Sequence, residues 1–286
     1  MIDTKLSENI LKSLNKLFPK QRHPFNLEND GEETYTQWQY EKGDDTISQY
    51  LPRYTCEDIL GGKSVLDMGC GAGGKSVYYI VHGASHVTGV DMVDGYKEAA
   101  EAFAKKMGCE DKFTFIKGNA CALSIPDNTF DAVIMNDFFE HVSEPELAVK
   151  ESLRLLKPGG RLYINFPPYG HPFGAHLSDA IQMPWVHLFF SEKTMVNVYC
   201  DLVKDLPDGQ RRIDFRFSKG DDGRYHMTYI NKMSIKRAKK ILRSLQIEPE
   251  YMRFTPLRKI FTPLAHVPLL REVFAKNVTC VICKQK

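Results

Sequence analysis

From residue 64 onward, short apolar runs alternate with longer stretches in which apolar residues recur at helical spacing. This alternation predicts repeated strand–helix–strand units, which form a mostly parallel sheet with helices on both faces. Five runs are predicted strands: residues 64–68, 86–90, 113–117, 130–136 and 161–166. Two closing strands, near 247–254 and 277–284, bring the sheet to about seven strands, the last of them antiparallel. The predicted fold class is therefore α/β and doubly wound.

The pattern also divides the chain into four parts. Residues 1–55 are polar, with Ile10, Leu11, Leu14 and Leu17 at helical spacing, and are predicted to form an N-terminal helical lid. Residues 56–166 are the predicted core. Residues 167–230 interrupt the alternation with aromatic, His, Pro and Gly residues and are predicted to be an insertion that covers the site. Residues 231–286 supply an amphipathic closing helix and the final strands.

One core helix carries a start signal that can be checked. Ser143 and Glu146 have the spacing of a capping box, ahead of Leu147, Leu153 and Leu156. The sequence therefore predicts a helix that begins at Ser143. The run Lys157-Pro158-Gly159-Gly160 is expected to end it.

Composition narrows the class of protein. The 38 basic and 36 acidic residues leave a formal charge of +2, which gives no broad positive field for a nucleic-acid backbone. No apolar run reaches the length of a membrane span and the first residues lack a signal-peptide pattern, so we expect a cytoplasmic protein with no membrane partner. The seven scattered cysteines indicate reduced thiols, and the Cys280–Cys283 pair is expected within a strand.

A glycine-rich turn follows the first predicted strand. Asp67, Gly69, Gly71 and Gly73 form a D-x-G-x-G-x-G run directly before a helix. Glycines let the backbone approach a ligand closely, and a helix N-terminus presents free N–H groups. Because glycine turns also arise by chance, this run alone is weak evidence for a nucleotide-type cofactor.

Polar residues at the ends of three further strands strengthen the cofactor hypothesis. Asp91 ends the second strand, where a carboxylate can accept both hydroxyls of a ribose. Asn119, with Ala120 after it, follows the third, where an amide can reach an adenine edge. Asn136 ends the fourth strand. Ligands of open α/β sheets bind outside the carboxyl ends of the strands, so these positions should converge.

With these motifs, the chain resembles the class I S-adenosylmethionine-dependent methyltransferases of Rossmann type, in particular those acting on small molecules. The Leu156–Gly160 run before the fifth strand is also typical of that family. The resemblance implies that the three glycines wrap the methionine part of S-adenosylmethionine, that Asp91 binds its ribose and that Met92 packs on its adenine. Many relatives have Asp where this chain has Asn119. A nicotinamide dehydrogenase is the main rival, and it normally has an apolar residue in place of Asp67.

The acceptor side is predicted from histidines and aromatic residues. His141 follows the fourth strand, a segment that the family places beside the transferred methyl, so it is a candidate to orient or deprotonate the acceptor. The insertion adds Tyr169, His171, His176 and His187, which together fit an acceptor pocket or structural packing. A His-x4-His spacing without a placed carboxylate is weak evidence for a metal, and no metal site is predicted.

The sequence favours O-methylation of a hydroxyl or carboxylate on a small molecule or peptide-derived metabolite. N- or C-methylation, carboxylate methylation of a peptide in natural-product biosynthesis and a non-catalytic cofactor sensor remain alternatives. A base-modifying nucleic-acid methyltransferase is disfavoured because Asn136-Asp137-Phe138-Phe139 stands where such enzymes have an Asn/Asp-Pro-Pro-aromatic motif. A basic stretch from Lys232 to Lys259 is read as the solvated face of the closing helix or, alternatively, as a dock for an acidic substrate. The oligomeric state stays open.

Overall fold

A seven-stranded sheet organises the computed structural model, which describes residues 4–285. The strands of the chain are β1 (Ser64–Met68), β2 (His86–Asp91), β3 (Phe113–Lys117), β4 (Phe130–Asn136), β5 (Leu156–Phe166), β6 (Phe217–Lys219), β7 (Tyr225–Met227), β8 (Tyr251–Pro256) and β9 (Ala275–Cys283). The main sheet has the order β3-β2-β1-β4-β5-β9-β8, and β6 and β7 form a separate hairpin. Within the main sheet β9 is antiparallel to both neighbours, while the pairs among β1 to β5 are parallel. The predicted fold class is confirmed.

Helices surround the sheet and build the added segments. They are α1 (Thr4–Asn15), α2 (Pro24–Asn29), α3 (Tyr35–Glu41), α4 (Gly43–Ile47), α5 (Cys56–Leu60), α6 (Gly74–Val81), α7 (Tyr96–Lys106), α8 (Pro145–Leu155), α9 (Val186–Phe189), α10 (Glu192–Val203), α11 (Gly209–Arg216), α12 (Ile235–Ser244), α13 (Thr262–His266) and α14 (Pro268–Phe274). Short 3-10 turns cover Glu110–Lys112 and Lys259–Phe261. Among the described residues, no helix has the length and apolarity needed to cross a bilayer.

The apolar runs are buried because the sheet is covered on both faces. Alternate residues of a strand point to opposite faces, and those of β1 enter two separate cores. Leu66 and Met68 pack into one apolar cluster with α8 and α12, whereas Val65 packs into another with α6 and α7. Near-continuous apolar strands of this kind are expected of a parallel sheet with helices on both sides.

The predicted start of one helix is wrong. α8 begins at Pro145 instead of Ser143, and its N-cap, Glu144, makes no side-chain capping bond. A proline at the first helical position fixes φ near the helical value and lacks the N–H that would need a partner there. Leu147, which the prediction placed on the apolar side of this helix, is 41% exposed.

The insertion has a core of its own, and the N-terminal segment completes it. Side chains from α10, α11 and the β6–β7 hairpin form a third apolar cluster that includes Leu11 of α1. Asn15 reinforces the contact, since its Nδ2 donates to the carbonyl of Ala180 at 3.0 Å. Ile10 of α1 and Leu17, which lies beyond the end of that helix, belong to the same predicted apolar face and are 42% and 75% exposed. Leu11 therefore accounts for more of the docking than the helical pattern implied.

Candidate active site

A cavity of about 390 Å³ lies at the carboxyl ends of β1, β2 and β3. Its wall contains Gly69 and Gly71 of the glycine turn, Asp91, Met92, Asn119 and Ala120. All six were predicted cofactor residues. The strand ends thus converge as the rule for open α/β sheets requires, and we refer to this space as the cofactor cavity.

Two glycines of the turn have no room for a side chain. Gly69 and Gly71 have φ values of +73° and +56°, a region that residues with a Cβ rarely adopt. A Cβ at Gly69 would overlap the ring of Phe138, and one at Gly71 would overlap the amide of Gln39. The turn therefore brings bare backbone to the cavity just before α6 begins. Gly73 does not line this cavity; its missing Cβ makes room for Ala100 of α7.

Asp91 is held in position by backbone donors. The N–H of Gly71 donates to its Oδ2 and the N–H of Val93 donates to its Oδ1, each at 2.9 Å. Each carboxylate oxygen has lone pairs beyond the one used, so both can also accept a hydroxyl. This geometry fits the predicted contact with two ribose hydroxyls.

The far end of the cofactor cavity suits a flat ring. The side-chain oxygen of Asn119 accepts the N–H of Cys121 at 2.9 Å, so its amide nitrogen is the end that can donate to an adenine. Met92 is 65% exposed and lies on the same wall. A thioether side chain there can pack on an aromatic ring.

Two other predicted cofactor residues lie on a different wall. Asp67 and Asn136 border a second, adjoining cavity. Asp67 is buried and accepts the hydroxyl of Ser76 at 2.6 Å, and burial raises the pKa of its carboxyl to about 6. Asn136 accepts a hydrogen bond from Asn165 and donates to Asp137 at 2.9 Å. Both side chains support the strand ends that border the site.

The second cavity has a volume of about 340 Å³ and is covered by the N-terminal segment and the insertion. We call it the acceptor cavity. Four histidines line it: His23, His141, His171 and His176. Seven residues line both cavities: Tyr35, Gly69, Tyr96, Asp137, His141, Phe215 and Tyr229. The two cavities therefore adjoin at these residues, which we call the shared wall.

His141 is the one predicted acceptor residue on the shared wall. Its Nδ1 lies 2.9 Å from the carbonyl oxygen of Tyr229, which can only accept, so Nδ1 carries the proton. Nε2 therefore keeps a lone pair. Burial lowers the pKa of His141 to about 4, so the ring is neutral at pH 7.

Beside His141 lies a buried carboxyl group that the sequence reasoning did not select. The Glu140 side chain is 3% exposed, and neither carboxylate oxygen has a hydrogen-bond partner within the described part of the chain. Burial raises its pKa well above the ordinary value for a glutamic acid. Its Oε1 stands 3.7 Å from Nε2 of His141. This burial is not expected from the sequence, because a Glu after a strand usually faces solvent.

The predicted histidines of the insertion separate into two groups. His171 and His176 line the acceptor cavity, and burial lowers the pKa of both rings. Tyr169 and His187 line neither cavity; their rings pack on each other with centroids 4.6 Å apart. The structure thus brings His141, His171 and His176 together around one cavity, whereas Tyr169 and His187 lie outside both cavities.

Several wall residues that were not predicted come from the lid and the insertion. Tyr35 of the lid and Phe215 and Tyr229 of the insertion line both cavities, together with Tyr96 of α7 in the core. Gln39 of α3 donates to the carbonyl of Cys70 at 3.2 Å and so closes the lid over the glycine turn. The aromatic residues of α3 could have indicated a role for this helix in the site, but the sequence does not show that the helix contacts the glycine turn.

Comparison with known proteins agrees with this geometry. Residues 66–164 match the family model described as a methyltransferase domain. These residues form a class I methyltransferase domain. The match spans β1 to β5 and includes Asp91, Asn119 and His141, while the lid and the insertion lie outside it. S-adenosylmethionine is the methyl donor used by class I methyltransferases.

Curated relatives of the methyltransferase domain act on different atoms. Sterol 24-C-methyltransferase of Aspergillus fumigatus is 37% identical over 102 residues, which are 36% of this chain and 27% of that protein. Ubiquinone biosynthesis O-methyltransferase of Pseudomonas putida is 34% identical over 106 residues, 37% of this chain and 45% of that protein. The chain thus spans between about a quarter and a half of these relatives' lengths.

A solved structure extends the similarity to most of the chain. A putative sarcosine dimethylglycine methyltransferase from Galdieria sulphuraria superimposes with a TM-score of 0.55 over 91% of this chain and 97% of its own, at 13% identity. This likeness concerns the fold. At 13% identity, it gives no information on the roles of the residues in the acceptor cavity.

Proposed function

We propose that this protein is an S-adenosylmethionine-dependent methyltransferase that methylates an oxygen atom, preferably a hydroxyl, of a small molecule. The observation that carries the proposal is the shared wall between the two cavities. A methyl donor held by Asp91 and the glycine turn would face the acceptor cavity across this wall. Methyl transfer requires this arrangement, because donor and acceptor must be in line and close together.

The cofactor cavity fits the donor at three points. The bare backbone of Gly69 and Gly71 admits a group that a side chain would exclude, Asp91 offers two carboxylate oxygens to the ribose, and Met92 offers a surface to the adenine. When bound, S-adenosylmethionine supplies a methyl carbon activated by a positively charged sulfur. The protein's remaining tasks are to align the acceptor, accept a proton and exclude water.

His141 supports a hydroxyl acceptor over a carboxylate. A hydroxyl must lose its proton as the oxygen is methylated, whereas a carboxylate has none to lose. Nε2 of His141 has a lone pair on the wall that both cavities share, and the carbonyl of Tyr229 fixes the ring through Nδ1. Its role would be to orient the hydroxyl and receive the proton. His171 and His176 would supply further polar contacts to the acceptor.

The covering segments would exclude water from the reaction. Tyr35, Phe215 and Tyr229 come from the lid and the insertion and meet over the shared wall. Ring contacts join them to their neighbours, with Phe215 and Tyr229 centroids 4.5 Å apart. The aromatic wall favours an acceptor that is partly apolar.

Two measurements test the proposal in sequence. Calorimetric titration should give micromolar binding of S-adenosylmethionine and its demethylated product, with a nicotinamide dinucleotide as the negative control. Donor carrying a labelled methyl group should then transfer label to hydroxyl compounds from an acceptor panel that also contains carboxylates and amines. Binding of the nicotinamide alone would overturn the proposal. Transfer only to nitrogen or carbon would retain a methyltransferase and refute the oxygen acceptor.

A further inference from the structure

Three side chains of metal-binding type meet at one point of the acceptor cavity. Glu140, His141 and His176 each offer one ligand atom, and these atoms lie within 4.8 Å of one another. The two histidine rings stand nearly perpendicular, at 83°, with centroids 4.8 Å apart. Glu140 and His141 follow β4, whereas His176 comes from the insertion, so the fold and not the local sequence assembles the group.

Glu140 is unexplained by the role of His141 as a proton acceptor. Its side chain is 3% exposed and both oxygens are buried without a partner among the described residues. An unpartnered polar group in such a place destabilises the fold, and a charged one destabilises it more. A cation bound between Glu140 and the histidines would remove this destabilisation.

His141 already makes the second contact that a metal-ligating histidine usually makes. A ligating histidine normally donates its second ring N–H to a carbonyl or carboxylate, which fixes the tautomer and the orientation of the ring. His141 does so through Nδ1 to the carbonyl of Tyr229 at 2.9 Å. Its free Nε2 is the nitrogen that faces Glu140. His176 has a φ of +53°, a conformation that is costly for a residue with a Cβ, so the surrounding fold holds this ring in place.

We propose that Glu140, His141 and His176 bind a divalent transition-metal ion of the Zn²⁺ type, with its remaining coordination position open to the acceptor. Two imidazoles and one carboxylate form a known set for such an ion. Ligand atoms around tetrahedral zinc stand about 3.3 Å apart, as bond lengths of about 2.0 Å require. The observed 3.7 Å between Glu140 and His141 needs only a small side-chain adjustment. The sequence alone predicted no metal because it could not place the carboxylate.

Neighbouring charges leave room for a cation. The positive charge of Arg216 acts on both histidines and lowers their pKa values, but its guanidinium donates to the carboxylate of Asp179 at 2.8 Å. Lys75 is likewise paired with Asp137 at 3.0 Å. Within each of these two pairs, the positive and the negative charge compensate each other. Among these acidic groups, Glu140 is the one whose oxygens have no hydrogen-bond partner in the described part of the chain.

The metal site and the proton-acceptor role are alternative uses of the same lone pair. A bound cation lowers the pKa of a coordinated hydroxyl, so the acceptor would give up its proton to bulk solvent as it binds, while Nε2 serves as a ligand. The binding claim does not depend on methyl transfer. It stands or falls on metal affinity, which is measured separately from the affinity for S-adenosylmethionine.

Metal binding to the whole chain tests the inference. Chelator-stripped protein is titrated with Zn²⁺ against a chromophoric chelator, and with Co²⁺ while the visible spectrum is recorded. We expect one equivalent of each ion and a cobalt spectrum without thiolate charge-transfer bands, which would report the free cysteines instead. Glu140→Gln and His176→Gln should each weaken binding by about 100-fold or more, since each removes one of three ligands.

His171→Gln is the matched control, because His171 lines the same cavity and is not one of the three ligands. Its metal affinity should equal that of the parent. Calorimetry with the demethylated cofactor shows that each variant is folded, and unchanged cofactor affinity is expected for all three. Failure of the parent to bind one equivalent, or binding that survives both ligand substitutions, would overturn the site. Loss of cofactor binding in the parent would instead refute the proposed function.

Discussion

The two cavities are built by different means. The cofactor cavity takes its key groups from strand ends and turns between Gly69 and Ser143, and its polar contacts are largely backbone N–H groups and the carboxylate that they hold. The acceptor cavity draws on the lid, the ends of β1 and β4, and the insertion. Its polar groups are buried side chains: neutral histidines, an unpartnered carboxyl and a buried arginine.

This difference separates the sources of stability of the two halves. The glycine turn and Asp91 lie at the ends of parallel strands, so their positions depend mainly on the sheet. The acceptor cavity needs distant segments to stay docked, and buried charges hold them. Changes to the buried charges should therefore open the acceptor side while the cofactor side still binds, and changes at Asp91 should do the reverse.

The largest effect is expected at the buried charge cluster of the insertion. The Asp179 carboxylate is fully buried and accepts from Arg216 at 2.8 Å and from Arg212 at 3.3 Å. Asp179→Asn leaves the two guanidinium groups short of one countercharge. Breaking a buried pair in this way costs about 3–5 kcal/mol. Chemical denaturation should show this loss, or an early separate transition for the insertion, while the demethylated cofactor still binds.

Asp201→Asn provides the comparison for that experiment. Asp201 pairs with Lys12 and Lys204 on the surface, where its side chain is 44% exposed. An exposed pair contributes about 0–1 kcal/mol. Equal losses from the two variants would mean that burial of Asp179 is not what stabilises the insertion.

Asp91→Asn should act on the other cavity. The substitution keeps the shape of the side chain and removes its charge, so hydrogen bonds to the ribose hydroxyls lose their charge assistance. We expect cofactor affinity to fall by about 100-fold, as measured by calorimetry, since hydrogen bonds to charged groups contribute about 1.5–3 kcal/mol each. Asp94→Asn is the control, because Asp94 is 89% exposed and pairs with Lys117. A similar fall in both variants would point to a general charge effect.

The same difference explains what the sequence could predict. Strands β1, β3 and β4 were predicted to the residue because their apolar runs are bounded by turns, and Asp91 and Asn119 followed from strand ends that must share one edge of the sheet. His176 and Glu140 could not be paired in advance. They are 36 positions apart, counting from 140 to 176, and their contact depends on how the insertion folds back.

Four of the predicted site residues lie away from the cavity to which the prediction assigned them. Tyr169 and His187 were grouped with the other histidines on composition, yet they pack on each other outside both cavities. Asp67 and Asn136 were assigned to the cofactor, although they border the acceptor cavity instead. Residue type singled out polar positions at the strand ends and in the insertion. Only the packing of the side chains could show on which wall each one lies.

His141→Ala should separate binding from turnover. His141 lies on the shared wall, and Nε2 is its reactive atom whether it receives a proton or binds a metal. Loss of a general base lowers turnover by about 100-fold. Cofactor affinity should stay close to that of the parent, since the contacts at Asp91 are untouched. Turnover equal to the parent's would assign His141 to packing alone.

The smallest effect concerns the dependence of stability on pH. Burial first, and then the charges of Lys276 and His187, lower the pKa of His171 to about 4. A histidine with a lowered pKa stabilises the fold fully above its unfolded value of about 6.5, and this contribution is lost as the pH falls towards 4. The parent should therefore be less stable at pH 5 than at pH 7, with about 1–2 kcal/mol of the loss due to His171.

His171→Asn tests this expectation. In the parent, the N–H of Phe173 donates to Nδ1 of His171 at 3.1 Å; the asparagine keeps an acceptor for this N–H and removes the titrating ring. Its denaturation midpoint should fall less between these pH values than that of the parent. An equal fall in both proteins would mean that the His171 ring takes up a proton about as readily in the folded state as in the unfolded state, so that burial in the acceptor cavity does not keep it neutral.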